Sequence, residues 1–146
     1  MKPFVFGLEK VLNLRKYYED EAKIELGRAV GVLSDLESKL FSVGRERVRA
    51  ASEQFAAGNS AVLIQQYMFY LLRLDNTKEQ LLKEAALAEM KVEEAREAFL
   101  EASRERKVLD KLKDKRFKGY RKTTLSEETK ALDEISPGAA YLYANR

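Results

Sequence analysis

The chain has 146 residues, a formal net charge of +3 and 35% charged side chains, and its richness in Ala, Glu, Lys, Leu and Arg belongs to long helices and coiled coils rather than to a compact globule. It holds no Cys and no His, which removes thiol chemistry, disulfides, a zinc site of the usual ligands and a His-based triad. No run of eighteen apolar residues occurs and Met1–Phe6 is too short for a secretory apolar region, so a cytoplasmic protein without a membrane span is expected.

Pro3 suits the first turn of a helix, so the first helix is expected from about residue 4 to about residue 56. Leu8, Val11, Leu12, Leu14 and Tyr18 give it a broad apolar face at the start. The face then narrows to Ala22, Leu26, Ala29, Leu33, Leu36, Leu40 and Val43, a three–four alternation that needs a facing helix. Gly27, Gly31 and Gly44 lie off this seam and read as tolerated surface positions.

Ala57-Gly58-Asn59-Ser60 is the turn. Gly58 or Asn59 can take the left-handed conformation that ends one helix, and Ser60 can cap the next. So short a connection makes the helices antiparallel.

From Ile64 to Leu109 the alternation is strict: Ile64, Tyr67, Leu71, Leu74, Lys78, Leu81, Ala85, Ala88, Val92, Ala95, Phe99, Ala102, Arg106 and Leu109. Lys78 and Arg106 are its only charged members, and polar seam residues commonly fix register. Pairing across the turn sets opposite one another residues whose numbers total about 118, large against small at several layers. The first helix then runs out near position 110 of the second, and the remainder should overhang. The second helix spans about residues 60–122, with an extension to about Ile135 left open by Gly119 and Thr123-Thr124. Ser126 with Glu127-Glu128 looks like a fresh start. Ser136-Pro137-Gly138 is expected to end it, leaving residues 136–146 as a mobile tail. The expected fold is thus all-α, a long antiparallel two-helix coiled-coil hairpin whose second helix extends beyond the first, in a single domain.

Charge is uneven along this pattern. Residues 104–122 carry ten positive and three negative side chains, an excess of seven on a chain whose total is +3. Catalysis has little to rest on: there is no phosphate-binding glycine loop, no dinucleotide fingerprint and no His or Cys nucleophile system. The carboxylates sit on a rod that offers no concave pocket. Neither an enzyme nor a cofactor is expected.

Phe4-x-Phe6-x-Leu8-x-x-Val11-Leu12-x-x-Arg15, followed by Glu19, Ala22, Leu26 and Ala29, resembles the opening of the flagellar export protein FliJ family. Ala95-Arg96, Glu101-Ala102, Arg104, Lys107, Leu109, Lys111-Leu112-Lys113, Arg116 and Tyr120, closing with Leu132-Asp133-Glu134, is similar to that family's second half. The resemblance covers nearly the whole chain. It implies a coiled coil similar to the stalk subunit of rotary ATPases, in the flagellar type III export apparatus and hence in motility and chemotaxis. The partners it implies are the export ATPase hexamer, the cytoplasmic domain of the export gate and the export chaperones, whose recycling the family assists. It also implies peripheral association with the inner-membrane export apparatus.

Two surfaces are candidates for contact. Around Tyr67, Met68, Phe69, Tyr70 and Leu72, with Phe55 and Val48 across from them, apolar side chains exceed what one seam can bury. Local thickening of the seam explains this as well as a docking patch does. Under the resemblance the patch is assigned to the gate or a chaperone. Arg15, Lys111, Lys113, Lys115, Arg116, Lys118 and Arg121 are assigned to the ATPase at the open end; a solvated helix face is the plainer alternative. A structural spacer or dimerisation protein remains the second reading of the whole chain, and a helical nucleic-acid binder the third. An elongated monomer is expected under the first.

Overall fold

The computed structural model describes residues 2–144, apart from the side chains of Ser136, Ala139, Ala140 and Leu142. Two helices, α1 (Glu9–Gln54) and α2 (Ala61–Ala144), pack against each other, and there is no strand among the described residues. The fold is all-α, an antiparallel helical hairpin. The chain divides into two compact units, Asp20–Glu101 and Met1–Glu19 with Ala102–Arg146.

In the first unit the turn forms as its residues dictate. Gly58 has φ +88°, a conformation that costs an L side chain about 1–2 kcal/mol. The Asn59 amide donates to the carbonyls of Glu53 and Gln54, satisfying the last orphan acceptors of α1. Ser60 Oγ accepts from the Leu63 N–H at 3.2 Å and caps α2. Beyond the turn the seam is built as spaced. Leu36 is buried with Ala85 and Ala88, and Leu33, Leu40 and Leu81 pack around them. A large side chain from α1 is buried against two small ones from α2, and its stabilisation comes from many small dispersion contacts. Arg47 bonds Asp75 at 2.6 Å, and the Tyr67 hydroxyl bonds Glu53. These pairs place the register two to four residues from the expected one. Lys78 departs from the pattern: it is exposed, and its long stem lets the ammonium leave the interface.

The second unit differs from expectation in four respects. The broad apolar face at the start of α1 does not form. Leu12 is fully buried, but Val11, Leu14 and Tyr18 are exposed, because α2 offers one seam and no third element covers the flanks. Next, α1 begins at Glu9 and not near residue 4; Glu9 N–H donates to the Phe6 carbonyl and closes the first turn.

Residues 2–6 form no helix, and they fold back along α2. The Tyr120 hydroxyl donates to the Lys2 carbonyl at 2.5 Å. Phe4 meets Phe117 edge to face, with ring centroids 5.2 Å apart, and lies 5.5 Å from Tyr120. Phe6 is buried beneath the Arg116 guanidinium. The expected overhang past Leu109 therefore has a partner as far as Tyr120. An alternating Phe-x-Phe after proline suits an extended strap, whose side chains reach farther per residue than a helix can.

Finally, α2 does not stop at residue 122, at Ile135 or at Ser136-Pro137-Gly138; it continues to Ala144 with Pro137 inside it. Thr123 and Thr129 are accommodated because each hydroxyl bonds the carbonyl four residues back, on Gly119 and Leu125. The expected tail thus falls largely within α2; Asn145 and Arg146 lie outside the described residues.

Candidate functional site

Near the turn, α2 divides its bulky side chains between two directions. Tyr67 and Tyr70 are half-buried and turn their hydroxyls to α1: Tyr67 to Glu53 at 3.2 Å, Tyr70 to Glu46 at 2.7 Å. Arg49 joins both acids, bonding Glu46 and Glu53, and Arg73 lies 5.7 Å over the Tyr70 ring. The Arg49 and Tyr70 hydrogen bonds hold the Glu46 carboxyl at about 2, below its usual 4.5. The reciprocal bonds to Glu53 and Glu46 raise the Tyr67 and Tyr70 phenols above their ordinary value. Both tyrosines thus thicken the seam.

Met68, Phe69 and Leu72 do not. They are exposed by 49%, 53% and 53%, and Phe55 on the other side of the turn by 74%. Of the six predicted residues at this end, four form outward apolar surface and two are structural. Val48 is likewise exposed.

The basic candidates separate in the same way. Arg15 pairs with Glu105, Lys113 with Glu9 at 2.9 Å, and Arg116 covers Phe6. These three hold α1 and the N-terminal strap to α2. Lys111, Lys115, Lys118 and Arg121 are exposed and form no ion pair among the described residues. An exposed, unpaired cation keeps its charge available to a partner, whereas one already paired would first have to give up its acid.

A polar layer in the seam of this unit was legible only in part. Arg106, a predicted seam residue, bonds Glu19 of α1 and Asp110 one turn on. Burial works to raise the Glu19 carboxyl, but hydrogen bonds from Arg106 and Ser103, with the charges of Arg106 and Lys107, outweigh it and lower it. Ser103 is buried beside them. Arg106 thus fits a register-setting role and Lys78 does not. The signal for Glu19 was its place one heptad before Leu26 in the seam, where an acid needs a partner.

No cluster of candidate metal-binding side chains occurs among the described residues, and none of their helices is long and apolar enough to cross a membrane. The grooves beside the seam are shallow and open, lined in one case by Arg28, Val32, Asp35, Leu36, Leu87 and Lys91.

Residues 4–146 match the flagellar FliJ protein family. A flagellar FliJ protein of Bacillus subtilis (strain 168) is 22% identical over 136 residues, covering 91% of this chain and 92% of that relative. Among solved structures, a protein of Chlamydia trachomatis described as a YscO homolog has the same fold, with a TM-score of 0.62, 19% identity and 99% of each chain covered. With the family match spanning nearly the whole sequence, the chain belongs to the flagellar FliJ protein family and is a component of flagellar type III export.

Proposed function

We propose that this protein serves the cytoplasmic side of the flagellar export apparatus as a non-catalytic, stalk-like coiled coil. Its exposed cations engage the export ATPase hexamer, and its apolar patch near the turn engages the export gate or an export chaperone, so that it assists chaperone recycling and association with the inner-membrane apparatus. Motility depends on it under this reading.

The observation that carries the proposal is the division of each candidate surface into bound and unbound members. Tyr67, Tyr70, Arg15, Lys113 and Arg116 are occupied within the chain. Met68, Phe69, Leu72 and Phe55 lie exposed on one unit, and Lys111, Lys115, Lys118 and Arg121 on the other. Adaptable Met and aromatic side chains suit a protein surface, and a set of cations suits steering toward an acidic one.

Charge reversal of Lys111, Lys115 and Lys118 tests the ATPase contact. Stimulation of the ATPase should drop at least about tenfold at low salt; full stimulation by the variant would reject the contact. Since these side chains form no ion pair among the described residues, the variant should keep its helicity.

A further inference from the structure

Beside the seam of the unit Asp20–Glu101 runs a shallow groove between α1 and α2 whose two rims carry like charges. Glu25 lies opposite Glu94, Arg28 opposite Lys91, and Asp35 opposite Glu84, all of them exposed. The two residue numbers of every pair have the same total, so the pairs are levels of one antiparallel register. Between the last two levels, in that same register, stand Val32 and Leu87, exposed by 57% and 61%. The groove thus reads acidic, basic, apolar and acidic along its length.

Elsewhere the two helices meet through unlike charges, as Arg47 does Asp75 and Lys113 does Glu9. Here no ion pair crosses the groove among the described residues. On α1, Arg28 bonds Glu25 and Lys39 pairs with Asp35 at 3.0 Å; both are exposed contacts within one helix, screened by solvent and readily exchanged. On α2, Glu84, Lys91 and Glu94 form no ion pair among the described residues. Like charges flanking a helix pair disfavour it, whereas unlike ones select a partner and its direction.

We infer that this groove receives an amphipathic helix of another protein, whose face presents basic, acidic, apolar and basic side chains in turn. Each charge then meets two opposite ones, and the apolar side chain covers Val32 and Leu87. The levels stand at Glu25, Arg28, Val32 and Asp35 of α1, about 4.5, 6 and 4.5 Å apart along its axis. That is the rise between neighbours on one face of a helix; same-face residues of a strand recur at about 6.5–7 Å. A shallow open groove also suits a helix face better than a small molecule. Neither exposed surface described above supplies the complement, since Lys111, Lys115 and Lys118 bring no acid and Met68, Phe69 and Leu72 bring no charge. The groove uses none of the residues assigned to the ATPase or the gate and does not depend on those assignments.

Two labelled, Ala-rich helical peptides of about 20 residues test it by fluorescence anisotropy with the full chain at about 0.1 M salt. One presents Lys, Glu, Leu and Lys at i, i+3, i+7 and i+10; the other has every charge inverted. The first should bind at least about tenfold more tightly, with a smaller difference at about 0.5 M salt. Arg28→Glu with Lys91→Glu should lose the first peptide by at least about tenfold, with helicity unchanged by circular dichroism. Exchanging that peptide's Glu for Lys should restore binding to the variant. Val32→Ser with Leu87→Ser should weaken the first peptide on the parent groove charges. Equal binding of the two peptides, no binding of either up to about 1 mM, or binding unchanged in both variants would overturn the inference. So would a dimer of the chain that Arg28→Glu with Lys91→Glu abolishes in sedimentation, which assigns the groove to a second copy.

Discussion

Glu19 and Arg106 show how a polar pair is retained in a narrow apolar seam. Each leaves part of its surface in water, and Ser103 and Asp110 take up hydrogen bonds the pair alone would leave open. Glu19→Ala should cost about 1–3 kcal/mol, because Arg106 then keeps only Asp110 in a half-buried place. Urea unfolding of the variant measures it, and a loss under about 0.5 kcal/mol would mean the layer is solvated. Acid should destabilise the fold in part through Glu46. Its carboxyl is lowered in the folded chain, so the unfolded chain binds protons more readily as pH falls below 4.5. The stabilisation is present above that value and is lost progressively toward about 2. Tyr67 and Tyr70 act in the opposite sense. Their raised values stabilise the fold below 10.0, and that stabilisation is lost as pH rises through the folded values. In Glu46→Gln the urea midpoint should decline less steeply between pH 4.5 and 2 than in the parent chain.

At the scale of elements, the helices were legible because a seam repeats. Every named seam position from Ile64 to Leu109 except Lys78 is buried or half-buried, as is each from Ala22 to Val43. The turn was legible from Gly58, Asn59 and Ser60, each of which performs the capping its side chain allows. The strap was not, because periodicity sees only what repeats, and residues 2–6 make one non-repeating contact with Phe117 and Tyr120 about 110 residues away. No heptad requires Phe4-x-Phe6, and its docking on Phe117, Tyr120 and Arg116 accounts for it. Phe4→Ala should free the strap at a cost of about 0.5–1.5 kcal/mol beyond lost area, raising amide exchange around Arg116–Tyr120 while leaving Leu36–Ala88 unchanged. The glycines test the helices in the other direction. A Cβ at Gly27, Gly31 or Gly44 would meet nothing within 4 Å, so each change to Ala should stabilise by about 0.5–1 kcal/mol. Gly58→Ala should instead destabilise, for backbone reasons alone.

For the whole molecule, the family match accounts for the sequence from residue 4 onward and assigns the protein to flagellar export. It does not say which side chains make the contacts. Sequence spacing could mark Met68, Phe69 and Lys111–Arg121 as surplus to the seam, but separating bound from unbound members required partners that lie across the hairpin. Two separable surfaces on a non-catalytic scaffold is the central claim, and a crossed binding assay tests it most directly. The export ATPase and the gate's cytoplasmic domain are each titrated with two variants, Lys111→Glu/Lys115→Glu/Lys118→Glu and Met68→Ala/Phe69→Ala/Leu72→Ala. The account predicts that the first loses only the ATPase and the second only the gate, each by at least about tenfold. Equal loss of both partners in either variant, or undiminished binding in both, would contradict it.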